Sequence, residues 1–287
     1  MTIAKYYPAQ RVLAPFVFLA GRASDALSGL GRLLLFTFRA FVSLPLTIRH
    51  YRQQTFKTMN SMAWGRGSLI VDGGVVSLLV MLGIAVGAVI ATEAYDALDL
   101  LGFGALSGII GSFANIREIA PILTGIGFAA QAGCRMTAEI GSMRISEEID
   151  ATEALGIRAI PFVVGTRIIG GLLVVLPSYL LGLVVSFLTG AFLIKTIHSE
   201  SPGTYDHYFA QFISFSEVGT SVLKAVVFCV LVTVIHCYYG FFASGGPAGV
   251  GIASGRAIRA SLVVIVVANF VVSVAIWGLS PVMVFTG

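Results

Sequence analysis

Arg117 and Glu118 stand side by side in an otherwise apolar stretch, and Pro121 follows them. Proline donates no backbone hydrogen bond, so Pro121 frees the carbonyl of residue 117, four positions earlier. A charge in an apolar helix costs about 2.5–3.5 kcal/mol on insertion scales and ordinarily faces a cavity or a partner. Two roles suit this pair: a structural ion pair at a helix break, or the polar rim or floor of a substrate cavity. Lys224 repeats the theme. It follows Glu217 by seven residues, so both project from one helical face; a lysine snorkelling to the membrane surface is the plainer reading. Arg117, Glu118, Pro121, Glu217 and Lys224 are thus the candidate translocation residues.

A second concentration of charge runs from Glu139 to Arg158. Ser146 reads as an N-cap, Glu147 and Glu148 suit the positive start of a helix, and Gly156 suits a left-handed C-cap. The expected product is a short helix, 146–155, with apolar Ile149 and Leu155 among acids. It is either a solvated loop helix or an element that seats in a groove of a cytoplasmic partner. For that second role the candidate residues are Glu139, Arg144, Glu147, Glu148, Asp150, Glu153 and Leu155.

Other chemistries find little support. No Lys follows a Gly, so no P-loop for ATP exists. His50, His198, His207 and His236 form no metal-ligand pattern. No metal or cofactor is expected on this chain. Ser244 and Ser254 each stand in an Ala-Ser-Gly triplet, and His236 precedes them on an apolar run, which keeps a membrane serine hydrolase open as a remote alternative. Cys134, Cys229 and Cys237 fall in or beside apolar runs and read as reduced small residues.

The elements that must position these groups are membrane helices. Of 287 residues 57% are hydrophobic and 11% charged, with mean hydropathy +0.93, against roughly 25% charged in soluble domains. Residues 73–92, 168–194, 225–255 and 260–287 carry no charge, and about 20 apolar residues span a bilayer. Another span is expected between Leu100 and Cys134, too long for one straight crossing and broken at Pro121. Leu33–Ile48 is interrupted by Arg39 and Pro45 and reads as a helix lying on the inner leaflet, with crossing as the alternative; 49–66 reads as a polar connecting helix. No cleavable signal is evident. Domains are expected at 1–66 and 67–287. The fold class is all-α: an N-terminal interfacial helix plus five transmembrane helices.

Nine of the 18 basic residues precede residue 67, which puts the N-terminus in the cytoplasm by the positive-inside rule. The loop around Arg144 and Arg158 returns to that side. The loop 195–217 and the C-terminus are then external. Gly83/Gly87, Gly104/Gly108 and Gly251/Gly255 are spaced for close helix approach, within the bundle or at a dimer face.

Arg117-Glu118-x-x-Pro121, Ala132-Gly133-Cys134-Arg135, Ala138-Glu139-Ile140-Gly141-Ser142-Met143-Arg144, Glu148-Ile149-Asp150-Ala151 and Ala154-Leu155-Gly156 resemble the MlaE/YrbE permease family. So do Lys224 with Val227-Phe228, and Gly249-Val250-Gly251 with Gly255-Arg256-Ala257. The likeness is strongest to the actinobacterial YrbE permeases of Mce lipid-import systems. The order Gly133-Cys134-Arg135, where the family usually has Arg-x-Gly, and Glu148, where it usually has glutamine, depart from the pattern.

The resemblance implies a permease of an ABC transporter, not an enzyme, in the plasma membrane. It implies a second, different YrbE-type permease, two cytoplasmic ATPase subunits that use ATP-Mg, and Mce-domain proteins forming an external tunnel. The cargo would be a hydrophobic lipid of the fatty acid, mycolic acid or sterol class, and the family's coupling helix maps onto about Ser146 to Leu155. A proton-coupled secondary transporter using Glu118, Glu217 and Lys224 is the alternative.

Overall fold

The computed structural model describes residues 9–65, 73–198, 201–211 and 213–278, with side chains from Ser28 onward save those of 105 and 202. The first span is expected near Leu69–Thr92; its residues 69–72, and the C-terminal end at Gly287, lie outside the described residues. Among the described residues the chain is all helix: α1 Ala9–His50, α2 Arg52–Trp64, α3 Val75–Asp99, α4 Ser107–Ile145, α5 Glu148–Ala154, α6 Ile160–Thr196, α7 Pro202–Gln211, α8 Phe215–Phe241 and α9 Gly246–Trp277. Six are long and apolar enough to cross a membrane, including Ser28–His50 within α1.

α1 runs through Arg39 and Pro45 without interruption. The 33–48 stretch is therefore part of a helix long enough to cross, and length admits both the surface-lying and the crossing arrangement. Phe36 anchors α1 by packing on the rings of Tyr238, Phe241 and Phe242. Thr47 Oγ1 donates to the Pro161 carbonyl at 3.0 Å, tying α1 to the start of α6.

α4 does not break at Pro121. It continues for 39 residues by widening into π-helical turns at Ile110–Ile119 and Ala129–Gly133. A π turn shifts the backbone hydrogen bonds by one residue, which is a known way to carry a helix through a misfit. α6 likewise begins at Ile160, on a π stretch with Pro161 in its first turn. That places Arg167 one turn or more inside the helix rather than at its mouth.

Two boundaries differ from the charge-based reading. The uncharged run 225–255 is not one span: the chain turns at 242–245, where Gly245 and Gly246 adopt positive φ of 90° and 70°. The glycine-rich stretch expected to hold both serines in one loop is mostly helical: Ser244 lies in that turn and Ser254 inside α9. The segment 195–217, expected to lie outside, holds a helix of its own, α7, and Glu217 belongs to the first turn of α8, where Ser214 caps the helix through Glu217 N–H at 3.1 Å. Absence of charge marks apolar backbone but not where that backbone reverses.

α8 is central, packing on α4, α6 and α9. The α3–α6 seam is a close approach of two helices: a Cβ at Gly83 would strike the Gly182 carbonyl, and one at Gly87 the Ser186 carbonyl. This glycine pair therefore serves packing within the chain. Gly108 does the same against α7, while Gly251 and Gly255 on α9 have open space before them. Cys229 and Cys237 are buried and Cys134 partly so.

Candidate functional site

The widened turn of α4 delivers Arg117 and Glu118 to different neighbours; they do not pair with each other. Arg117 forms a two-pronged pair with Glu217 of α8, at 2.8 Å from Nε and 2.6 Å from Nη2. Such fork geometry is the strong form of an arginine–carboxylate bond. Glu118 accepts from Lys224 of α8 at 3.0 Å and from Asn269 and Ser273 of α9 at 2.6 and 2.8 Å. Glu217 and Lys224, on one face of α8 as their spacing requires, thus pair with two consecutive residues of α4. Four charges cancel in two pairs, which is what makes them tolerable in an apolar bundle.

Lys224 also explains Pro121. Its Nζ donates to the Arg117 carbonyl at 2.6 Å, and Ser221 Oγ donates to the Ile116 carbonyl at 2.6 Å. Those are the acceptors that the i−4 and i−5 patterns would otherwise match with residue 121, which has no N–H. One turn of α8 thus satisfies the polar gap that proline opens in α4. Trp277 closes the cluster, its ring 4.8 Å from both the Arg117 guanidinium and the Lys224 ammonium.

Lys224 is 0% exposed whereas the Glu118 side chain is 41% exposed. The cluster is dry on its α8 side and open at Glu118. It lies about 15 Å along α4 from Ser107, at about 1.5 Å per residue, and so in the half nearer the Asp99–Ser107 connection.

The opposite end carries α5. Here the cap differs from expectation. Glu147, not Ser146, precedes the helix, in the left-handed region at φ 59°, while Ser146 Oγ donates to Ser142 O and Glu148 Oε1, both at 3.0 Å. Gly156 does end the element at φ 79°. Ile149 is buried and holds α5 to the bundle; Leu155 is 80% exposed. Arg144 pairs with Asp150 at 2.7 Å, so one acid is already neutralised. Glu147, Glu148 and Glu153 are exposed without an ion-pair partner among the described residues.

Glu139 stands apart from that group. It lies on α4 and holds Arg135 at 2.9 Å and Arg167 of α6 at 3.2 Å. His236 is buried against Thr137, 2.7 Å from Nδ1, and Ser261, 3.2 Å from Nε2; neither Ser244 nor Ser254 is its partner. Sequence reasoning missed Asn269, Ser273, Ser221 and Trp277. Asn269 and Ser273 are polar residues four apart in an apolar run, a spacing that puts both on one helix face and could have flagged them. Among the described residues no His, Cys, Asp and Glu cluster is placed to hold a metal ion.

Long apolar helices, a charge-balanced crossing between three of them and a short exposed helix at one end are the features of a multi-pass membrane protein. The family described as Permease MlaE matches residues 68–275, and the chain belongs to that family. A probable ABC transporter permease protein of Synechocystis is 31% identical over 61% of this chain and 67% of its own length. The intermembrane phospholipid transport system permease protein MlaE of Haemophilus influenzae is 24% identical over 91% of this chain and 96% of its own. The Arabidopsis thaliana chloroplastic protein TRIGALACTOSYLDIACYLGLYCEROL 1 is 29% identical over 60% of this chain and 49% of its own. The chain is accordingly a permease subunit of an ABC transporter rather than an enzyme, with ATP hydrolysis carried by separate subunits.

Proposed function

We propose that this chain is the permease subunit of an Mce-type lipid importer in the plasma membrane. The observation that carries the reading is the separation of two sites at opposite ends of α4: an exposed acidic helix at one, a paired ionic cluster open at Glu118 at the other. In an ABC permease the first suits contact with a partner ATPase and the second suits handling of cargo. The name of the Haemophilus relative supports a lipid as cargo, and apolar helices suit fatty acids, mycolic acids or sterols.

The basic N-terminal segment supports an orientation with 1–66 and α5 in the cytoplasm and α7 and the C-terminus outside. Residues 1–66 act as the interfacial and connecting segment, 67–287 as the five-span permease domain. A second YrbE-type permease covers the open face of α9, two ATPase subunits holding ATP-Mg dock at α5, and Mce-domain proteins continue the path outside. ATP turnover alternates the packing of the two permeases around a cavity rimmed by Arg117, Glu118, Glu217 and Lys224.

The test is a pull-down of the ATPase alongside uptake of labelled lipid. Glu148→Lys or Glu153→Lys should release the ATPase, because like charges across an interface repel and lose their partners. Arg117→Ala or Glu118→Ala should keep the ATPase and lower uptake. The reverse pattern would overturn the assignment of the two sites. Mass spectrometry of lipid co-purified with the complex identifies the cargo.

A further inference from the structure

Where α2, α4 and α6 meet there is a cavity of about 220 Å³ whose wall includes Lys57, Ser61, Arg135, Glu139 and Arg167. Three cations face one carboxylate. Arg135 and Arg167 divide Glu139 between them, and Lys57 has no ion-pair partner among the described residues. Arg167 is 7% exposed, and its buried Nε–H has no acceptor. An unpaired donor on a buried guanidinium is costly unless something accepts from it. That Nε–H lies behind the wall; what calls for an anion is the surplus positive charge of Lys57, Arg135 and Arg167 around the single carboxylate of Glu139.

We propose that this cavity is an oxyanion site that takes a phosphate group, supplied by the headgroup of an anionic phospholipid. The cations come from three helices, Lys57 from α2, Arg135 from α4 and Arg167 from α6, and so converge from several directions. That suits a tetrahedral phosphate better than a planar carboxylate, which one arginine fork would satisfy. The volume is below the roughly 300–1,000 Å³ of sites that enclose a whole small molecule, so the cavity takes a headgroup whose chains stay outside. Its level fits too. α4 and α6 are 39 and 37 residues long, well beyond the about 20 residues that cross the hydrocarbon core. Arg135 and Arg167 lie about 10–15 Å from their Ile145 and Ile160 ends, at about 1.5 Å per residue, where such overhanging helices pass through headgroups. The phospholipid source rests on the membrane reading of these helices; the oxyanion site does not. Neither depends on what the permease carries.

The experiment is native mass spectrometry of the intact permease–ATPase complex in detergent, titrated with phosphatidylglycerol, phosphatidylcholine or inorganic phosphate. Wild type should retain phosphatidylglycerol in preference to phosphatidylcholine. Lys57→Gln, an exposed change that leaves the packing intact, should weaken retention about tenfold, the usual order for losing one charged hydrogen bond; Lys57→Arg should restore it. Arg167→Gln should abolish retention, its folding checked by the integrity of the complex. Should inorganic phosphate bind and phosphatidylglycerol not, the headgroup source is wrong. Equal retention of both lipids, or of phosphatidylglycerol by wild type and Lys57→Gln, would overturn the site altogether.

Discussion

At the scale of single residues the structure turns on Lys224. It neutralises Glu118, and it supplies a hydrogen bond to a carbonyl that Pro121 leaves without its helical donor. Replacing it with methionine keeps most of the volume but strands both acceptors. The expected loss is about 1–3 kcal/mol, toward the lower end because Glu118 stays partly wet. A fall in the thermal midpoint of the detergent-solubilised complex reads it. Pro121→Ala in the Lys224→Met background should recover part of that loss, since alanine returns a backbone N–H to α4. No recovery would show that the lysine acts on the carboxylate alone. Much of this was legible in the sequence: the proline, the freed carbonyl and the shared face of Glu217 and Lys224 all follow from spacing. The pairing itself was not. Neighbouring residues on a helix point about 100° apart, so Arg117 and Glu118 were bound to seek different partners, and only packing reveals which helix brings them.

Elements obey the same logic. Glycine spacing predicted close helix contacts but not where they fall. Gly83→Val or Gly87→Val should prevent α3 from seating on α6, because the obstacle is backbone carbonyl that cannot rotate away. Overpacking of this kind costs about 1–3 kcal/mol or more, read as loss of monodisperse folded protein. Gly251→Val on the open face of α9 should leave the single chain folded. The turn at 242–245 falls in the stretch expected as a glycine-rich loop, where left-handed Gly245 and Gly246 make it tighter than that expectation. The helix α7 escaped the sequence reading, because a short polar stretch gives little periodicity and its helix is held by packing of Tyr205 and Phe209. α5, by contrast, was readable because Gly156 and the acids mark its limits. Its start was misplaced by the left-handed Glu147, a conformation that non-glycine residues seldom adopt. Gly156→Val, forced into that same region at φ 79°, should fray α5 and weaken ATPase capture without disturbing the spans.

For the whole molecule, a membrane assay reads topology and energy source. A cysteine at position 148, in a chain lacking Cys134, Cys229 and Cys237, should resist an impermeant thiol reagent in intact cells and react in inverted vesicles. Labelling in intact cells would place α5 outside and reverse the proposed orientation. We infer that this permease moves lipid only when a separate ATPase drives it. The most direct test is uptake of fluorescent fatty acid, the proposed cargo class, into proteoliposomes holding the complete complex, with and without the ATPase subunit, under a fixed pH gradient. Uptake should proceed with ATP and stop when the ATPase is omitted. Uptake that persists without the ATPase and follows the pH gradient would contradict this inference, and would make Glu118, Glu217 and Lys224 part of a proton-driven carrier.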